Sequence, residues 1–291
     1  MSLAPLQRLA RWSWLPTLLV GGWAQAHSPG LPMALPSDAM RGVLTVATFS
    51  LAHDRAQWPT RREGIVEALR ALRPDVVALQ DVEQTPDAPN PACWLAAQLD
   101  YGCSFISADP PSRPRRLGNA LLTRRPVQGD AVTLLHPFEM ASTAGMVRLD
   151  LDGLPVNAYV TQLHPGATHS DDGLVRARQV VNLLRWMEVT DDGLPTVLLG
   201  DFAVPAGAPE LAALGEQYQE AQPPPAREAG NAIALDGVPG APLPASGDHI
   251  LVRRGCFRVL RLAALRLPGE EGPLPRGLVA TLQVIGQGAA P

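Results

Sequence analysis

Lysine is missing from this chain: all 24 basic residues are arginine, set against 28 acidic ones for a formal net charge of −4. No basic field advertises binding to a phosphate backbone, and nucleic acid is not an expected partner. Cysteine is nearly absent too. Three thiols in 291 residues, with no Cys and His grouped at metal-ligand spacing, exclude a structural zinc site. Aromatic residues make up 5% of the chain and form no cluster suited to a membrane interface. No self-similarity recurs at a period of roughly 20–50 residues, which excludes a solenoid or propeller.

What is present is apolar residue in quantity, 46% of the chain, enough for one α/β domain of about 250 residues with a large core. Ahead of that domain, Arg8 and Arg11 precede an apolar stretch from Trp12 to Trp23, and Ala24 and Ala26 flank Gln25. A positive region, an apolar region and an A-x-A site predict a signal peptide over 1–26. Pro16 and the Gly21-Gly22 pair break the stretch, so no stable membrane span is expected, the alternative being an uncleaved anchor. A Pro-rich leader over 27–40 and a domain over 41–288 follow, in a protein expected in the periplasm or outside the cell. Export allows Cys93 and Cys103 to pair across a short helix and turn, leaving Cys256 over.

Hydrophobic period lays out the domain. Leu44–Phe49 reads as a strand; Ile65, Ala68, Leu69 and Leu72 give Arg61–Leu72 a helical face that Pro74 stops; Asp75–Gln80 is a buried strand. Further strands are predicted at 103–107, 120–123, 132–135, 147–151 and 156–163. A second amphipathic helix covers Leu174–Val189, then come strands at 197–199, 249–252, 259–264 and 278–284. Pro223–Ala245, rich in Pro, Gly and Ala, reads as a long surface loop. The pattern suggests two packed sheets with helices on the outer faces.

Six stretches in order carry a likeness to a known family: LTVATFS, RPDVVALQDVE, GNALLTRRPV, VNAYVTQLHPG, PTVLLGDFAVP, and GDHILVRRG followed by GLVATL. Together they resemble the endonuclease/exonuclease/phosphatase superfamily, which includes deoxyribonuclease I-like nucleases, sphingomyelinases and inositol phosphatases. Arg176-Ala177-Arg178-Gln179 after VTQLHPG adds to the likeness. The resemblance implies an α+β fold, a four-layer αββα sandwich of two mixed β-sheets packed face to face with helices outside. It also implies attack of water on a phosphoric ester assisted by Mg2+ or Mn2+, with the reacting groups at strand ends on one rim.

At those strand ends the residues depart from the family. Ser50 stands where the family has a metal-positioning Asn, and Asp81 replaces the Glu that is its main metal ligand. Asp81 keeps a carboxylate but loses a methylene. Gln162 occupies the place of a phosphate-donating His; it donates a neutral hydrogen bond but supplies neither proton nor charge. His164, two residues along the same strand, is a stand-in by alternation. In GDFAV, Asp201 is kept and Ala203 replaces an Asn, while the register of RGLVATL sets Pro275 where the base His belongs. No histidine lies between Phe257 and Pro291.

Asp201 and Asp248 are the catalytic carboxylates that the resemblance retains, with a turn residue and a cap as their structural alternatives; Asn119 reads as a turn residue or a phosphate contact, and His53 as a phosphate contact or a loop residue without a role. Arg115, Arg116, Arg124 and Arg125 form a basic lip or a solvated run. General acid–base catalysis is worth about 10²–10⁴-fold, so loss of the base at Pro275 alone implies little hydrolysis. One expectation is therefore an exported, catalytically impaired pseudoenzyme with a binding or scaffold role, its partner a phosphorylated small molecule or a protein. The other is a divalent-metal-dependent phosphoesterase with a reorganised site: Asp81 for metal, Asp201 as base, His164 as phosphate donor. A membrane-associated lipid phosphodiesterase has no aromatic cluster to support it.

Overall fold

The central strands are apolar on both faces, and that layers the molecule. In β1 (Val43–Ser50), Leu44 and Val46 face one side, Ala47 and Phe49 face the other, and all four are fully buried. A strand of this kind needs cover on both sides. The computed structural model describes residues 42–51, 58–166, 171–222, 247–265 and 277–286. His53, Pro275, the expected signal peptide and leader, and the Pro223–Ala245 loop lie outside these residues.

Along the chain follow α1 (Trp58–Leu72), β2 (Val76–Gln84), α2 (Pro91–Leu99), β3 (Gly102–Ser107), β4 (Arg116–Thr123) and β5 (Val127–Leu134). Then come β6 (Thr143–Leu151), β7 (Leu154–Gln162), α3 (Asp172–Thr190), β8 (Thr196–Asp201), β9 (Tyr218–Glu220), β10 (Asp248–Arg253), β11 (Phe257–Leu265) and β12 (Gly277–Val284). The strands form two six-stranded sheets, ordered β11-β12-β1-β2-β4-β3 and β5-β6-β7-β8-β10-β9. Each holds one parallel pair, β1 with β2 and β7 with β8, joined through α1 and α3; the remaining pairs are antiparallel.

Between the sheets lies a core of Leu44, Val46, Val76, Leu121, Val147, Val160, Val197 and Leu199. A second cluster packs Ile65 and Leu69 of α1 and Leu95 of α2 on Phe49, Val77 and Leu79. A third packs Val180, Leu183 and Met187 of α3 on Met146, Tyr159 and Leu198. The result is the expected four-layer αββα sandwich. Among the described residues no helix is long and apolar enough to cross a membrane.

Where elements differ from expectation, the cause is local. The start of β5 carries Gln128, Gly129 and Asp130 at a sheet edge, so no apolar run marks it. With three residues, β9 is too short to show a period. The short helix between the two cysteines is α2: Asn90 caps it by accepting from the amides of Ala92 and Cys93 at 3.0 and 3.1 Å, and Pro91 opens its first turn. Cys93 and Cys103 are disulfide-bonded, tying α2 to β3, while Cys256 is free and buried.

Candidate functional site

Five strands bring polar residues to one rim. Ser50 ends β1 opposite Gln80, Gln162 ends β7 opposite Asp201, and Asp248 opens β10 opposite the same Asp201. Asp81 reaches them because β2 carries an extra residue. Leu79 pairs with Ala120 and Val82 with Gly118, so Gln80 and Asp81 together oppose Asn119. Such a bulge redirects side chains. Asp81 sits at φ 54°, a left-handed conformation that Asp tolerates better than most residues. Gln80 turns inward instead, and its amide nitrogen donates to Thr48 Oγ1 at 3.1 Å.

Asp81 is the hub. Its Oδ2 accepts from Ser50 Oγ at 2.7 Å and from Gln162 Nε2 at 2.8 Å. Ser50 belongs to one sheet and Gln162 to the other, so this oxygen clasps the sandwich at its rim. Both donors are neutral. Beneath the clasp, Asn119 is buried, its Nδ2 donating to Thr143 O and Oγ1 at 3.2 Å each, while Thr161 Oγ1 donates to the same carbonyl at 3.1 Å. Among the described residues Asn119 Oδ1 has no partner.

The turn after β8 depends on close backbone approach. A Cβ at Gly200 would lie 2.0 Å from the carbonyl oxygen of Thr161, so glycine is required for β8 to sit against β7 there. A Cβ at Gly247 would meet Asp201 Oδ1 at 2.5 Å. Through that gap Phe202 N donates to Gly247 O at 2.6 Å, and Asp201 Oδ1 accepts from Ala203 N at 2.8 Å as a turn-forming Asp does. Ala203 adopts φ 59°, a conformation easier for Asn or Gly, and brings no side-chain donor to the rim. Burial first, then the facing Asp201 carboxylate, pushes the Asp248 carboxyl up to about 7.

His164 is placed differently from its expectation. β7 ends at Gln162, so strand alternation stops before reaching it, and its Nε2 lies 3.1 Å from Asp172 Oδ1 of α3. Its backbone N donates to Gln179 Oε1 at 2.8 Å, and Arg176 holds the carbonyl of Gly166 and Glu210 Oε1. Arg176 and Gln179 of the RARQ stretch thus pin the loop leaving β7. The basic lip is likewise committed: Arg124 and Arg125 both pair with buried Asp75, Arg115 with Glu83, and Arg116 lies over the Phe105 ring.

One buried group at the rim escaped sequence reasoning. His249, next to Asp248 on β10, is 2% exposed; its Nδ1 is 2.7 Å from Glu220 Oε1 and its Nε2 is 2.8 Å from Val204 O. A histidine inside an otherwise buried strand was the available signal. A divalent ion does not fit the rim as arranged. Among the described residues no three His, Cys, Asp or Glu side chains gather to hold one. A magnesium ion needs only one or two carboxylates, but Asp81 Oδ2 already accepts two hydrogen bonds that an ion would have to displace.

Among solved structures the chain is similar to the human Nocturnin catalytic domain with bound sulfate, at 19% identity and TM-score 0.63, covering 86% of this chain and 99% of that one. It is similar to an endonuclease/exonuclease/phosphatase from Beutenbergia cavernae DSM 12333, at 19% identity and TM-score 0.60 over 86% of this chain and 74% of that one. The mannosyl-6-phosphatase of Bacteroides thetaiotaomicron VPI-5482 shares 16% identity and TM-score 0.60 over 84% of this chain and all (100%) of that one. At such identities the likeness is one of fold. No curated protein matches the sequence. A model of the Endonuclease/Exonuclease/phosphatase family matches residues 46–271, nearly the whole sandwich, and this chain belongs to that family, whose members usually use divalent metals.

Proposed function

We propose that this protein is an exported, non-hydrolytic member of its phosphoesterase-type family, with a binding or scaffold role at the rim. The observation that carries the reading is the double hydrogen bond from Ser50 and Gln162 to Asp81 Oδ2, which spends on neutral donors the carboxylate oxygen that relatives offer to a metal. Ala203 adds nothing to the rim beyond its backbone, and Pro275 carries no exchangeable proton where relatives have a base. Export is supported by the N-terminal charge and apolar pattern and by the Cys93–Cys103 disulfide, a bond at home in an oxidising compartment. Purified protein incubated with Mg2+ or Mn2+ and chromogenic phosphomonoesters and phosphodiesters is expected to show no turnover above buffer. Turnover that a chelator abolishes overturns the reading.

One observation favours a second reading, a metal-dependent phosphoesterase with a reorganised site. Asp248, its carboxyl pushed up to about 7, faces the Asp201 carboxylate, and a raised carboxyl beside a second one is an arrangement that can divide acid and base roles. In that reading, Asp81 is the metal residue and Asp201→Ala abolishes the activity. His164, engaged by Asp172, is the weakest part of it. Activity that survives Asp201→Ala points to a contaminant.

A further inference from the structure

His249 is held between two acceptors. Val204 offers a carbonyl oxygen, which can only accept, so Nε2 carries a hydrogen at 2.8 Å. Glu220 faces Nδ1 at 2.7 Å. Either the imidazole is doubly protonated and Glu220 is a carboxylate, or the imidazole is neutral and the proton sits on Glu220. The Glu220 side chain is 28% exposed, against 2% for His249, so water stabilises the carboxylate and the proton belongs on the ring. We infer that His249 is a buried imidazolium acting as a positioning residue, tying β9 through Glu220 to the turn after β8 through Val204 and thereby fixing the turn that carries Asp201 and Ala203.

The surroundings agree. Carboxyl groups face the ring from two strands, Glu220 on β9 and Asp248 on its own β10, with Asp201 facing Asp248 across the β8–β10 pair; Asp248, itself pushed up to about 7, adds its charge only as it ionises. Phe202 meets the imidazole edge-on at a centroid distance of 5.0 Å and contributes no charge. Burial opposes the cation, but the hydrogen bond and charge of Glu220, the Val204 carbonyl and Asp248 together raise its pKa above the ordinary 6.5. A raised histidine stabilises the fold fully below pH 6.5 and loses that contribution as pH climbs through the folded value. Above that point one of its two hydrogen bonds is gone, and the turn loosens. The inference does not depend on whether the rim hydrolyses anything.

The test uses the full chain with 15N-labelled histidine. Long-range proton–nitrogen correlation across pH is expected to show hydrogens on both ring nitrogens of His249 at pH 6.5. Glu220→Gln, which keeps an acceptor but removes the charge, should lower the titration midpoint by about one pH unit. In His249→Gln the Ala203 amide, donated to Asp201 Oδ1, should exchange with solvent about tenfold faster, the loss of one hydrogen bond. A bare ring nitrogen at pH 6.5, a midpoint unmoved by Glu220→Gln, or unchanged Ala203 exchange overturns the inference. Should His249→Gln fail to fold, the two wild-type and Glu220→Gln titrations decide alone.

Discussion

Asp248 makes the clearest demand at the scale of the single residue. Its carboxyl titrates at about 7 in the folded chain against an ordinary value of 3.8. Between those limits the folded state holds a proton that the unfolded state has released, so stability falls as pH rises. The contribution is whole below pH 3.8 and gone once pH passes about 7. Asp248→Asn removes the titration while keeping the shape. We expect its melting temperature to vary less between pH 4 and 7 than the parent's, and its stability at pH 8 to exceed the parent's by about 1–3 kcal/mol. Calorimetry across pH checks this, and superposable curves for the two proteins would refute it. A decline due to His249 should remain after the substitution, since Glu220 and the Val204 carbonyl still raise its pKa. At this scale Ser50, Asp81, Gln162, Asp201, Ala203 and Asp248 were picked out by five of the six stretches; Ser50, Gln162, Asp201 and Asp248 sit at strand termini, while Asp81 lies inside β2 and Ala203 just past β8. Their partners were not, because the clasp on Asp81 depends on a bulge that appears only when β2 meets β4. Likewise His164 shares a stretch with Gln162, yet its neighbour comes from α3, and nothing in strand periodicity announces that the strand has ended.

Among the elements, α3 shows how a helix is fastened to a sheet by more than its apolar face. Its end at Asp191 is buried and pairs with Arg253 of β10, while Asn157 Nδ2 of β7 donates to the Asp191 carbonyl at 2.7 Å. Arg253 is itself only 8% exposed. Removing its partner leaves a guanidinium without compensation, and breaking such a pair costs about 3–5 kcal/mol. Asp191→Ala should therefore lower the urea midpoint strongly, and Asp191→Leu combined with Arg253→Met should recover most of the loss, since the two charges then vanish together. A double variant no better than Asp191→Ala would mean that the pair is not what holds the helix end. The elements that sequence pattern reached were those buried on both faces or periodic over several turns, such as β1, β2, α1, β8 and α3. Of those it shortened or missed, β5 and the three-residue β9 sit at sheet edges. The interior strands β4 and β6 were shortened where they open on Arg116–Asn119 and Thr143–Met146, stretches that mix Gly and polar residues with apolar ones, and the 3₁₀ segments Phe138–Met140 and Pro209–Glu216 carry no strand period. At an edge, half of each strand answers to water rather than to the core, and hydrophobic period fades.

For the whole molecule, the family stretches carried the architecture further than periodicity did, because parallel pairing of β1 with β2 and β7 with β8 is a matter of topology that no local pattern specifies. The same topology builds the clasp on which the proposed function rests, since it brings Ser50 from one sheet and Gln162 from the other onto one oxygen of Asp81. If those donors take the place of a metal, the folded state gains nothing from a divalent ion. A ligand at one hundred times its Kd stabilises a protein by about 2.7 kcal/mol, which in a domain of this size raises Tm by roughly 5–10 °C. Millimolar manganese should therefore leave the melting temperature within about 1 °C of that in chelator, for the native chain and for Asp81→Ala alike. A shift of several degrees that disappears in Asp81→Ala would place an ion at the clasp. Gln162→Ala separates the causes: it withdraws one donor from Asp81, so a manganese shift appearing only in that variant would identify the glutamine amide as what keeps the carboxylate from a cation.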